Sequence, residues 1–172
     1  MNETIYIKHL WQLENVIKGY QYHRENLNYY RFLTPIYVFL GIVGLMLGLY
    51  GLIVHFKIKY IILIAYSIFC LSINKIYLLA FIRRCKRLNY EGKQLEWEVN
   101  RDVIAYRLEN LFRLKLEWEF IKVVIDTPDG FLIYPRPNSY YWLPKTAFSN
   151  AEDIAYFVFI AQDRAKRFER IV

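Results

Sequence analysis

A chain of 172 residues with a formal net charge of +7 has room for one modest domain beside a small membrane segment. It is 56% apolar and 19% aromatic, with 16 tyrosines, more than a water-soluble domain of this size carries. Its two cysteines, Cys70 and Cys85, form no CxxC pair and exclude a disulfide framework. The basic excess borders the apolar runs, where anionic headgroups attract it, and so points to a membrane surface rather than to nucleic acid.

Thr4–Lys8 alternates apolar and polar side chains and predicts a short strand. Leu10–Arg31 has a helical period, with Leu13, Val16, Ile17 and Tyr20 on one face, and Gly19 is expected to loosen it. This helix is predicted to lie on the bilayer surface or to run straight into the first span. A polar leader without a small-residue cleavage site predicts no cleavable signal peptide.

Residues 33–54 contain no charged side chain. At about 1.5 Å rise per residue they are long enough for a hydrocarbon core about 30 Å thick. Residues 60–82 form a second apolar run that carries Asn74 and Lys75. Only a short polar loop separates the runs, so the pair reads as a transmembrane hairpin over 32–82. Arg24 and Arg31 precede it and Arg83, Arg84, Lys86 and Arg87 follow, against Lys57 and Lys59 in the loop. The positive-inside bias predicts both termini in the cytoplasm of a multi-pass protein of the cytoplasmic (inner) membrane. Gly41, Gly44, Gly48 and Gly51 line one face of the first span. Small residues allow close helix approach, either to the second span, where Ala65 and Ser72 offer a matching face, or to a second copy in a homodimer. Lys75 reads either as a snorkelling side chain or as a functional intramembrane charge, and Asn74 can bond the first helix.

Residues 83–93 form a basic connector expected to extend the second helix, with Gly92 as its stop. Residues 94–172 change character. Leu95–Val99, Ile104–Leu108 and Phe112–Glu119 alternate as half-buried strands, and the last is the clearest period-two run in the chain. Turns are expected at Asn100–Asp102 and Glu109–Asn110. Ile121–Asp126 reads as a more buried strand, Thr127–Gly130 as a turn, Phe131–Tyr134 as a strand broken at Pro135–Asn138, and Tyr140–Leu143 as the last strand, ended by Pro144. Ser149 with Glu152 forms a capping box for a helix running to the terminus, with Ile154, Phe157, Val158, Ala161, Ala165 and Phe168 on its apolar face. The sum is an α+β membrane protein: a two-helix hairpin, with residues 1–31 before it, and an antiparallel sheet or split barrel closed by a C-terminal helix.

From Trp118 onward the sequence resembles the YcxB-like family, through Trp118, Ile121, Val123, Val124, the Asp129-Gly130-Phe131 turn, Leu143-Pro144-Lys145 and Phe148. The resemblance implies a cytoplasmic N-terminal segment, two spans and a strand-rich C-terminal domain, and it implies no catalytic or ligand-binding residue. The strand–helix layout is also similar to pleckstrin-homology domains of bacterial membrane proteins, an analogy of fold alone.

Catalytic constellations are absent from the sequence. His9, His23 and His55 are dispersed, so neither a metal site nor a histidine-based triad is expected, and no glycine-rich phosphate loop indicates a cofactor. Glu96 with Glu98, and Glu117 with Glu119, read as solvated strand faces rather than acid–base pairs. Arg136, between two prolines, reads as an exposed connector or a rigid anion contact. Trp97, Trp118 and Trp142 read as packing residues. The expectation is a non-enzymatic, membrane-anchored binding module whose partners are the bilayer and a protein not identified by sequence. The alternatives are an immunity protein against a membrane-active toxin and, third, a small transporter or channel subunit using Lys75.

Overall fold

The computed structural model describes residues 4–26, 28–109, 111–137 and 139–171, without the side chains of 28–31. The turn residues Asn110 and Asn138 and the Arg31 side chain therefore lie outside the described residues. The chain divides into two compact units, Met1–His23 with Asn89–Val172, and Arg24–Leu88.

Alternation builds the first sheet of the β-rich unit. In β1 (Ile5–Leu10), Ile5 and Ile7 are buried while Tyr6 and Lys8 are exposed. In β2 (Gln94–Val99), Leu95, Trp97 and Val99 are the buried set. The two strands pair antiparallel with Ile7 opposite Trp97, so the N-terminal strand joins the first strand after the helices. β3 (Val103–Leu108) and β4 (Phe112–Glu117) continue the antiparallel order β1-β2-β3-β4. The expected strand through Glu119 stops two residues earlier, because Trp118–Phe120 turns as a 3-10 helix and Trp118 Nε1 donates to the Asn100 carbonyl at 2.7 Å.

A second sheet takes the order β7-β6-β5-β8. β5 (Val123–Asp126) and β7 (Ser139–Pro144) flank β6 (Gly130–Arg136) antiparallel. β6 runs through Pro135 instead of breaking there; a register irregularity between Ile133 and Arg136 accommodates a residue with no N–H to give to the ladder. Two separate sheets, one of them mixed, replace the expected single sheet or split barrel, and no barrel closes.

The C-terminus differs most from expectation. α4 spans Ala151–Arg164, then the chain leaves helical geometry at Ala165 and returns as β8 (Phe168–Arg170), parallel to β5. Val124 N–H donates to the Arg167 carbonyl and Ile171 N–H to the Asp126 carbonyl, so β8 supplies partners for the edge of β5. Ile171 packs with Ile125, Leu132 and Tyr134, which gains more burial than a solvated helical turn would. The helix cap is Asn150, whose side chain accepts from Asp153 N–H at 2.7 Å, one residue beyond the expected Ser149–Glu152 box.

Aromatic side chains fill the core. Phe157 of α4 is fully buried, with its ring centroid 4.6 Å from Phe131, 5.8 Å from Phe148 and 6.3 Å from Trp118. Trp97, Tyr106 and Tyr141 join the two sheets through ring contacts of 4.6–6.5 Å. Helix α1 (Leu13–Asn26) begins where Glu91 accepts from Leu13 N–H. Gly19 does not loosen it: a Cβ there would lie 2.6 Å from Trp142 Cγ, so glycine is what lets the helix meet that ring.

The helical unit holds α2 (Asn28–His55) and α3 (Ile58–Leu88). Within them Phe32–His55 and Ile58–Leu88 are long and apolar enough to cross a membrane. Pro35 lies inside α2, seven residues past its first residue Asn28, so the carbonyl of residue 31 receives no intrahelical N–H there. α3 ends at Leu88, and Asn89 takes a left-handed φ of 52°, so asparagine and not Gly92 stops the helix. The glycine face of α2 meets α3 of the same chain. A Cβ at Gly41 would lie 2.7 Å from Leu71 Cγ, at Gly44 2.5 Å from Ser67 Oγ and at Gly48 2.6 Å from Ile64 Cγ1, and one at Gly51 would run into the Tyr60 ring. The facing set is thus Tyr60, Ile64, Ser67 and Leu71, not Ala65 and Ser72.

Candidate functional site

The motif residues of the β-rich unit serve its architecture. Ile121 and Val124 are fully buried, Trp118 and Phe148 nearly so. Gly130 closes the β5–β6 turn, where a Cβ would lie 2.6 Å from the Leu143 carbonyl oxygen, and Thr127 Oγ1 donates to the Gly130 carbonyl at 2.7 Å. Pro144 ends β7 and brings Lys145 to Asp126. Buried Asp126 meets Lys145 Nζ at 2.7 Å and Arg170 Nε at 2.8 Å, while Lys145 also donates to the Thr127 carbonyl at 2.6 Å. This network fastens β8 and the post-β7 turn to β5. Arg170 was not legible as its third member, since it lies 44 residues from Asp126.

Where α1 meets the second sheet, His23 is buried, stacks on Tyr140 at 4.2 Å and shares a 2.9 Å hydrogen bond between Nδ1 and the Tyr134 hydroxyl. Burial pushes the His23 ring down to about 4 and the Tyr134 phenol upward, so both are neutral at pH 7. Tyr22 donates to Asp129 at 2.7 Å and Lys18 lies 3.7 Å from the same carboxylate. These contacts hold the helix that leads toward α2.

In the helical unit, Asn74 is bonded by a residue the sequence reading did not connect to it. Arg24 donates to Asn74 Oδ1 at 2.7 Å and to its carbonyl at 3.3 Å, and lies 5.9 Å from the Tyr77 ring. Lys75 is exposed on α3.

The described residues of the β-rich unit form, among others, a smaller and a larger concavity. The smaller, about 240 Å³, lies over the outer face of the first sheet. Both its carboxylates are ion-paired: Lys8 meets Glu96 at 2.9 Å and Arg113 meets Glu98 at 3.8 Å, while Arg107, also in the lining, donates to the Glu109 carbonyl. The Lys8 contact holds the Glu96 carboxyl below the usual carboxylate range. These carboxylates are cross-strand ion-pair partners.

The larger is a groove of about 790 Å³. It runs along β4, an edge strand of its sheet, so Leu114, Lys115 and Leu116 all border it. Glu119 and Phe120 of the 3-10 turn, Lys122, and Lys166 between α4 and β8 form further wall. Pro135, Arg136 and Pro137 at the β6–β7 turn, with Ser139 and Tyr141 of β7, complete it. Burial raises the Tyr141 phenol and the nearby Arg136 charge works against that rise. Sequence reading singled out Arg136 but missed Lys115, Lys122 and Lys166, which converge only through the sheet topology. The one signal at hand was the β4 alternation, whose apolar residues Leu114 and Leu116 are only half-buried because the groove passes them.

The YcxB-like protein family model matches residues 109–158, which take in β4 through β7 and most of α4. No curated protein and no solved structure matches the chain.

Proposed function

We propose that this chain, with its YcxB-like domain over residues 109–158, is a membrane-anchored binding module. In this reading α2 and α3 cross the cytoplasmic membrane as a hairpin, both termini lie in the cytoplasm, and the β-rich unit binds rather than catalyses. The observation that carries it is the outer surface of the helical unit. Phe39, Met46, Tyr50, Ile53 and Ile62 are all more than half exposed, on helices that pack each other through glycine. A core helix of a water-soluble protein would hide such side chains, whereas lipid accepts them at no cost. The excess of arginine and lysine at the α3 end over the Lys57–Lys59 turn supports cytoplasmic termini. The ion-paired carboxylates and the neutral, packed His23 support binding over acid–base work.

Single cysteines at Lys57 and at exposed Gln162, in a background without Cys70 and Cys85, test the topology with a membrane-impermeant maleimide on intact cells. Labelling at Lys57 alone is expected. Labelling at Gln162 alone inverts the topology, and labelling at both rules out a closed membrane between them.

A further inference from the structure

We infer that the larger groove is a binding site for a phosphate ester joined to an apolar body. Four cations reach it from four separate stretches of chain: Lys115 from β4, Lys122 from the approach to β5, Arg136 from the end of β6 and Lys166 from the approach to β8. One carboxylate, Glu119, shares the lining with them. Among the described residues none of the four is ion-paired, whereas Lys8, Lys18, Arg113, Lys145 and Arg170 of the same unit all are. Four like charges gathered at one concavity repel one another and are relieved by a bound anion.

The donor types favour phosphate. A guanidinium offers a planar fork that matches two phosphate oxygens, and ammonium groups add point charges around the same anion. Tyr141 is also part of the lining, and burial raises its phenol, so it adds no negative charge to the groove. The volume favours more than a bare ion, because about 790 Å³ lies within the roughly 300–1,000 Å³ of small-molecule sites. Phe120 is 60% exposed at the rim and offers apolar surface for what the phosphate is attached to. The ligand is either an acidic phospholipid or a soluble phosphate ester. The lipid source rests on the membrane-anchored reading, and the groove chemistry does not.

The test uses the full chain purified in neutral detergent, titrated calorimetrically with glycerol 3-phosphate, dihexanoyl phosphatidic acid and dihexanoyl phosphatidylcholine. Saturable binding of one or both of the first two is expected, weakening as salt screens the charges. Tighter binding of the phosphatidic acid assigns the lipid source, and comparable binding of the two assigns the soluble one. The double variant Lys122→Gln/Arg136→Gln, both sites exposed, is expected to weaken binding at least about tenfold, by the loss of two charge-assisted contacts. Lys8→Gln/Arg113→Gln, in the ion-paired concavity, is expected to leave it unchanged. Independently of any variant, ligand-induced amide shifts should centre on Lys122 and Ser139 rather than on Lys8 and Arg113. The proposal is overturned if neither phosphate probe saturates, if both double variants lose binding equally, if the shifts centre on Lys8 and Arg113, or if octaglutamate outcompetes both phosphates. Because glycerol 3-phosphate is water-soluble, the groove can fail while the chain stays in membranes, and bind while it does not.

Discussion

In the β-rich unit large apolar side chains form the buried core: Trp97 is 1% exposed and Phe131 and Phe157 not at all, with Phe112, Phe120 and Phe159 left at the surface. In the helical unit the order is reversed. Phe39, Met46 and Ile53 are 65%, 66% and 84% exposed, while four glycines form the face by which α2 meets α3. Water drives large apolar groups inward, so a sheet-and-helix unit buries them first. Lipid supplies no such drive, so helices meet where backbones approach most closely and leave bulky groups outside. The reversal within one chain is the contrast that the proposed membrane anchoring accounts for.

Breaking each unit at its own contact sharpens that contrast. Phe157→Ala should destabilise the β-rich unit by about 3–5 kcal/mol, read by urea unfolding with tryptophan fluorescence in micelles. Phe39→Ala, removing a ring of like size from the helical unit, should shift stability by no more than about 0.5 kcal/mol. Comparable losses from the two would erase the distinction. Next in size, Asp126→Ala leaves Lys145 without its carboxylate and should cost about 3 kcal/mol, with hydrogen exchange rising at 168–170 as β8 detaches. Gly48→Leu, whose side chain would meet Ile64, should cost the hairpin about 1–3 kcal/mol by overpacking and leave the urea transition of the β-rich unit in place.

The remaining effect is that of pH. His23 is held at about 4 by burial, against 6.5 for an exposed imidazole. A depressed value means that the unfolded chain takes the proton first. The contribution is therefore full above pH 6.5 and is lost as pH falls through about 4. His9, also near 4, acts in the same direction. Thermal melts across this range should flatten in a His23→Phe/His9→Phe double variant, and an unchanged slope would show that neither ring remains neutral.

Local patterns were legible wherever the physics is local. Period-two runs located β2, β3 and β4, and the uncharged stretch 33–54 located most of the long apolar part of α2. What escaped depends on partners far along the chain. β8 is three residues long and exists because β5 has an edge to offer, while the same residues taken alone continue a helical apolar face. The docking of α1 turns on Gly19 meeting Trp142, more than a hundred residues away, and nothing near Gly19 announces it. The groove is the extreme case. Lys115 and Lys166 read as ordinary surface lysines until two strand edges bring them to one wall.

The proposed anchoring requires lipid around α2 and α3. Extraction of isolated membranes with alkaline carbonate, which strips surface-bound proteins and leaves integral ones in the pellet, tests this most directly. The full chain should stay in the pellet until detergent dissolves the bilayer; its release into the carbonate supernatant would contradict the account.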